Sequence, residues 1–113
     1  MITIEALQQF GADTRQGCGR CMNNEDFYLR LVNMGLDDKN FGKLEEAIRA
    51  GDRKAAFEAA HALKGVMSNL SLTPLCEPIS ELTELLRADR DVDYAALVDQ
   101  ILQQRERLMS LRD

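Results

Sequence analysis

The chain has few aromatic residues and few prolines. Aromatic side chains make up 5% of the 113 residues, tryptophan is absent, and there are only two prolines. The strong helix formers Leu, Ala, Glu and Arg are abundant instead. The alternation of apolar and polar residues that is typical of half-buried strands is also missing. Composition and pattern therefore favour a helical fold over a sheet.

Long apolar runs and an excess of positive charge are missing as well. No stretch approaches the roughly 20 apolar residues of a membrane span, and the start, MITIEALQQF, lacks the features of a signal peptide. The net charge of −5 disfavours nucleic acid, because phosphate binding needs a basic surface. We therefore expect a cytoplasmic protein that binds neither membranes nor nucleic acid. The initiating Met and the compact length favour a free-standing protein.

The spacing of apolar residues predicts six helices. Their ranges, in chain order, are 3–10, 25–34, 39–50, 52–70, 74–88 and a last one that begins at Asp91 or Asp93. Residues 11–22 carry three glycines and are predicted to be irregular, with room for one helical turn. The second helix places Phe27, Leu31 and Met34 on one side. The expected ends are Thr3, Asn24, Asp37 or Asp38, Asp52 and Thr73 as N-terminal caps, and Gly35 and Gly51 as C-terminal stops.

The predicted fold class is all-α. Four consecutive helices joined by short loops form an antiparallel up-and-down four-helix bundle by default. Two shorter N-terminal helices are expected to pack on this bundle. We therefore predict a single domain over residues 1–113, with the N-terminal helices in 1–36 and the bundle in 37–112.

The only histidine of the chain, His61, lies in the predicted helix over 52–70. At about 100° per residue, the apolar residues of this helix lie more than roughly 115° away from His61. That apolar face consists of Ala55, Ala56, Ala59, Leu63, Val66, Met67 and Leu70. The residues on the same side as His61 are Lys54, Phe57, Glu58, Lys64, Gly65 and Ser68. Because the apolar face must enter the core, His61 is predicted to point towards solvent.

Three neighbours distinguish His61 from an ordinary exposed histidine, which is the alternative interpretation. Lys64 is three residues later, where its ammonium can reach an anion held by the ring. Gly65 costs about 1 kcal/mol relative to Ala inside a helix, and it leaves the ring uncrowded. Phe57, four residues earlier, presents an aromatic side chain on a polar face. This combination suits a histidine that carries a phosphoryl group or that another protein must approach.

These residues resemble a known family. The segment AHALKG, followed by SNL, is similar to the signature of histidine-phosphotransfer (Hpt) domains, H-x-x-K-G on the exposed face of a bundle helix. The resemblance extends through NNEDFYLRLV and LEEAIRAGD and so covers roughly residues 20 to 90. It implies that His61 accepts a phosphoryl group on Nε2, that Lys64 stabilises the charge and that Gly65 gives the partner room. Many members have a second glycine where this chain has Ser71.

The resemblance also implies partners and a reaction. The partners are receiver domains of response regulators or hybrid sensor kinases, which bring their own Mg²⁺ and acidic pocket. His61 would accept a phosphoryl group from one receiver aspartate and pass it to another. We expect Lys54, Phe57, Glu58 and Ser68 as partner contacts, because they lie on the same side of the helix as His61. A monomer is expected, because transfer needs the His61 face open. The alternative is a non-catalytic helical adaptor that binds a receiver without exchanging phosphate.

No further chemistry is expected on the chain itself. There is no Gly-rich phosphate loop, so we expect no autokinase activity and no cofactor; whether a carrier of this kind counts as an enzyme stays open. The spacing of Cys18 and Cys21, CGRC, is typical of thioredoxin-like redox sites beside a βαβ unit, but no strand pattern accompanies it. A zinc site needs four ligands, and Cys18, Cys21, Cys76 and the solvent-facing His61 are the only candidates of those types. We interpret Cys18 and Cys21 as semi-buried loop residues and expect no metal.

Overall fold

The computed structural model describes residues 1–112, and this part of the chain is all-helical without strands. The helices are α1 (Ile4–Phe10), α2 (Thr14–Arg20), α3 (Glu25–Leu36), α4 (Asn40–Ala50), α5 (Arg53–Asn69), α6 (Thr73–Arg87) and α7 (Tyr94–Met109), followed by a 3₁₀ turn (Ser110–Arg112). The predicted all-α class is confirmed. Position 113, the end of the predicted domain, lies outside the described residues. None of the helices over 1–112 has the length and apolar character to cross a bilayer.

Side-chain caps set the N-terminal ends of five of the seven helices in residues 1–112. Five side chains accept a hydrogen bond from the backbone N–H three residues later: Thr3, Asp13, Asn24, Asp52 and Asp93. Gly51 ends α4 with a φ of 72°, in the left-handed region that glycine adopts without strain. The starts of α4 and α6 differ from the prediction. The cap residue of α4 is Lys39 and not Asp37 or Asp38, and the cap residue of α6 is Leu72, with Thr73 already helical.

The N-terminal part has three helices where two are predicted. Asp13 caps α2 by accepting a hydrogen bond from the backbone N–H of Gln16 at 3.1 Å, and the helix continues through Gly17. A Cβ atom at Gly17 would lie 2.4 Å from Cε1 of Tyr28, so this glycine allows α2 to pack directly on the ring. Tertiary packing therefore outweighs the low helix propensity of glycine in this segment.

The side of α3 that faces the core is not the side that carries Phe27, Leu31 and Met34. Its buried residues include Tyr28 and Val32, whereas Phe27 is 42% and Met34 is 63% exposed. The helix also continues past Gly35 to Leu36, although Gly35 is predicted to end or bend it. A Cβ at Gly35 would lie 2.7 Å from Cδ1 of Leu70, so this glycine brings α3 close to the end of α5.

Helices α4 to α7 contact one another in chain order. Helix α4 packs on α5, α5 on α6 and α6 on α7, and α7 also contacts α4. Helix α5 therefore lies between α4 and α6, and its core-facing residues include Leu63 and Met67. The end of α7 is joined to α3, since Arg105 Nε donates to the carbonyl of Leu36 at 2.8 Å.

Ser71 follows α5 with a φ of 56°, in the left-handed region that glycine favours. Its hydroxyl donates to Oε1 of Gln16 at 2.7 Å and accepts from Nη1 of Arg20 at 2.8 Å. Its carbonyl accepts from the backbone N–H of Asp13 at 2.9 Å. These three bonds hold a serine in a conformation suited to glycine. Arg20 also donates to the carbonyl of Ser68 at 2.8 Å, which ties α2 to the last turn of α5.

Tyr28 gives the fold a dependence on alkaline pH. Its hydroxyl donates to the carbonyl of Leu70 at 2.7 Å, and burial, with a smaller effect of Cys18 and Cys21, raises its pKa from 10.0 to about 12. The unfolded chain loses this proton at lower pH than the folded chain does. The stabilisation is therefore complete below pH 10 and is lost as the pH rises from 10 to about 12.

We expect the urea midpoint of the wild type to fall more steeply over this alkaline range than that of Tyr28→Phe, which cannot ionise. Urea titrations at a series of pH values, followed by circular dichroism, measure the difference. Parallel curves for the two proteins would contradict this assignment.

Candidate functional site

Helix α5 fixes the direction of His61. Asp52 caps the helix by accepting from the backbone N–H of Ala55 at 3.1 Å. The buried side of the helix consists of Ala56, Ala59, Ala60, Leu63 and Met67. His61 is exposed on the opposite side, together with Lys54, Glu58, Gly65 and Ser68. The structure thus brings the predicted site residues to one surface.

Phe57 is less exposed than the sequence suggests. Its ring is half-buried and stacks on the imidazole of His61, with centroids 5.7 Å apart and planes inclined by 15°. The guanidinium carbon of Arg87, from α6, lies 5.2 Å from the centroid of the same phenyl ring. Stacking and cation–π attraction both favour this arrangement. Phe57 therefore restrains the plane of the imidazole and links it to α6.

Lys64 is paired with α6. Its Nζ lies 3.6 Å from Oε1 of Glu84, and the other oxygen of this carboxylate lies 3.3 Å from Nε of Arg87. The side chains of Lys64 and Glu84 are 36% and 58% exposed, and ion pairs this exposed are weak. Sequence reasoning did not identify Glu84 or Arg87, because helical periodicity within α6 does not reveal which of its residues meet α5.

Gly65 leaves open space beside His61. A Cβ atom placed on it would have no neighbouring atom within 4 Å, in contrast to Gly17 and Gly35, which are packed against side chains. Packing within the described residues therefore does not require glycine at position 65. The space that this glycine leaves is accessible from outside the molecule.

The remaining predicted contact residues extend this surface along α5. Glu58 lines a groove of about 390 Å³ between α4 and α5 that also includes Lys43 and Glu46. Lys54 lines a smaller hollow of about 340 Å³ with Phe57 and Arg87. Ser68 lies about two turns after His61, near the end of α5. His61 thus lies between a side facing α4 and a side facing α6.

Cys18 and Cys21 are more deeply buried than predicted and belong to a helix rather than to a loop. Both are buried, and Cys18 lies within α2 while Cys21 ends it, so they are not semi-buried loop residues. Burial raises the pKa of the Cys18 thiol, with smaller contributions from Glu25 and Cys21. Such a thiol stays protonated near neutral pH and reacts slowly. Over residues 1–112, no three His, Cys, Asp or Glu side chains are grouped to hold a metal ion.

Fold and site together define a class: an all-helical protein with an exposed imidazole on the outer face of a helix. This ring stacks on a phenylalanine, and a lysine and an open glycine follow it within one helical turn. The chain belongs to the Hpt domain family, whose model matches residues 38–111. Hpt domains act in histidine phosphotransfer within two-component phosphorelays and interact with receiver domains.

The family match covers α4 to α7 and includes His61, Lys64 and Gly65. The match begins after α3, so the resemblance expected from about residue 20 is supported only from residue 38. At the other end, the match extends beyond the expected residue 90 to residue 111. Comparisons with curated proteins and with solved structures gave no match.

Proposed function

We propose that this protein is a phosphorelay carrier in which His61 accepts a phosphoryl group from the aspartate of one receiver domain and passes it to another. One observation carries this proposal: within the segment that matches the family, His61 is exposed with its ring stacked on Phe57. A nucleophile that reacts with a group held inside another protein must project from its own surface. An orienting contact adds to this, because reaction rates depend on the alignment of the reacting atoms.

The reaction needs only the imidazole as nucleophile. The lone pair on Nε2 attacks the phosphorus of the aspartyl phosphate and forms an N–P bond. The P–O bond to the aspartate breaks, and its electron pair leaves with the carboxylate. The reverse reaction, with a second receiver, returns the imidazole to its starting form. Each receiver supplies Mg²⁺ and the acidic pocket, and Lys64 balances part of the charge on the phosphorylated ring.

The proposal includes an architecture. We place α4 to α7, over residues 37–112, in an antiparallel up-and-down four-helix bundle, with residues 1–36 packed against it. The contacts in chain order, and the contact between α7 and α4, support this arrangement. The protein acts as a monomer in the cytoplasm, without a cofactor or metal of its own. It binds neither membrane nor nucleic acid, in keeping with its net charge of −5.

The receiver contacts in this proposal are Lys54, Phe57, Glu58 and Ser68. The open space at Gly65 lies among them, so a partner can approach the ring without displacing a side chain there. Phe57 offers an apolar contact and the others offer polar ones. A mixed surface of this kind suits a transient complex that must form and separate in each round of transfer.

The direct test is a transfer assay with a radiolabelled, Mg²⁺-loaded phosphorylated receiver domain. We expect the wild-type protein to acquire a label that is acid-labile and alkali-stable, as a phosphohistidine is. Binding to receivers without any such label would support the adaptor alternative and contradict the carrier. Circular dichroism recorded on the same sample ensures that an unlabelled protein is folded.

Gly65→Ala is expected to stabilise the protein and to slow transfer. Ala gains about 1 kcal/mol over Gly inside a helix, and the new methyl meets nothing within the protein. The same methyl occupies the space that the receiver needs, so we expect transfer to slow by about 10- to 100-fold, the scale of a misplaced reacting pair.

Gly42→Ala is the matched control, since Gly42 lies on α4 and is equally open. It should bring a similar gain in the free energy of unfolding and leave the transfer rate unchanged. Urea titration and transfer kinetics measure both quantities in the three proteins. Equal transfer rates would contradict the steric role of Gly65.

A further inference from the structure

Helix α6 contributes charged side chains to the His61 surface in a continuous chain of contacts. The two oxygens of Glu84 lie 3.6 Å from Nζ of Lys64 and 3.3 Å from Nε of Arg87. Arg87 lies 5.2 Å from the ring centroid of Phe57, which stacks on His61. Glu84 therefore connects the lysine near the imidazole with the arginine that covers Phe57.

The ion pair with Glu84 compensates the charge of Lys64 before any phosphoryl group arrives. A phosphoryl group brings about two negative charges, and the ammonium of Lys64 cannot pair fully with both that group and Glu84. The existing pair is exposed and therefore weak, so the more highly charged group can displace it. The negative charge of Glu84 stays partly compensated after Lys64 moves away, because Arg87 remains next to it on the same helix.

We infer that Glu84 is a counterion of Lys64 and that the phosphoryl group replaces it there. Because Glu84 competes for Lys64, it makes the phosphorylated state of His61 less stable and favours onward transfer. This inference rests on the proposed function and identifies a positioning residue for the same site. During uptake Nε2 forms its bond to phosphorus, the aspartate leaves with the electron pair of the broken P–O bond, and Lys64 moves from Glu84 towards the new phosphoryl oxygens. Onward transfer reverses these changes and restores the pair with Glu84.

Glu84→Gln tests the inference, because it keeps the shape of the side chain and removes its charge. The measured quantity is the ratio of phosphorylated Hpt protein to phosphorylated receiver at equilibrium, with one receiver at fixed concentrations. We expect the ratio to rise about twofold to fivefold at low salt, the scale of an exposed ion pair. The rise should shrink at high salt, where charges are screened.

Glu81→Gln is the matched control. It makes the same charge change on α6, but Glu81 lines the groove towards α7 with Gln100 and Gln103, so the ratio should stay at the wild-type value. In a Lys64→Met background, Glu84→Gln should raise the ratio by less than it does in the wild type. Unchanged helical circular dichroism in every variant separates these effects from unfolding.

Three results would overturn the inference. They are an unchanged ratio with Glu84→Gln, an equal rise of the ratio with Glu81→Gln, and a rise in the Lys64→Met background as large as the rise in the wild type. A wild-type protein that acquires no label at all is a different result, because it contradicts the proposed function itself.

Discussion

Replacing His61 with glutamine is expected to abolish phosphoryl uptake and to leave the free energy of unfolding almost unchanged. The side chain is exposed on α5, and substitutions at such positions usually change stability by no more than about 0.5 kcal/mol. Glutamine is a good helix former, but its amide has no nucleophilic lone pair comparable with that of the imidazole. Uptake should therefore fall below detection in a folded protein.

The matched control for this variant is Glu58→Gln, which lies one turn earlier on the same exposed side of α5. It should retain uptake, although it changes a partner contact and so affects the rate. Label counts after gel separation, with urea titrations of each variant, give both readouts. Label on His61→Gln at the wild-type level would exclude His61 as the acceptor.

Gly17→Ala has the largest expected effect on stability. Its Cβ would lie 2.4 Å from Cε1 and 2.8 Å from the hydroxyl oxygen of Tyr28. The ring is fully buried and its hydroxyl is bonded to the carbonyl of Leu70, so it cannot move without losing that bond. Overpacking of this kind costs about 1 to 3 kcal/mol. The damage would extend to the end of α5, where Leu70 follows the last helical residue.

Gly19→Ala, two residues later in α2, is expected to change the free energy of unfolding in the opposite direction. A Cβ at Gly19 meets nothing within 4 Å, so the substitution should stabilise the helix by up to about 1 kcal/mol. Urea titrations of the two variants compare the effects directly. Equal stability in the two would show that α2 does not pack on Tyr28.

The helix ends that carry a side-chain cap or a left-handed glycine, and the face of α5, could be predicted because their causes are local. A capping side chain acts within its own helix turn, as Asp52 and Asp93 do, and Gly51 ends α4 through its own backbone freedom. Helix α5 carries a broad apolar face opposite His61, and only one orientation buries it. The neighbours of His61 within α5 follow from the same periodicity.

Features that depend on contacts between helices could not be predicted in this way. Helix α3 has apolar residues on more than one side, and its orientation is set by close packing against Gly17 and at Gly35. The irregular segment predicted over 11–22 forms α2 for the same reason. In the site, the cover on Phe57 and the partner of Lys64 come from α6. Their register against α5 depends on helix packing, which local spacing does not encode.

The central claim is that this protein carries a phosphoryl group between receivers on His61. The most direct measurement is a three-component chase, in which a labelled phosphorylated receiver, this protein and a second, unlabelled receiver are mixed and sampled over time. We predict that label leaves the first receiver, passes through the protein and reaches the second, and that His61→Gln stops this passage. Label that reaches the second receiver equally well with His61→Gln, or that never enters the folded wild-type protein, would contradict the claim.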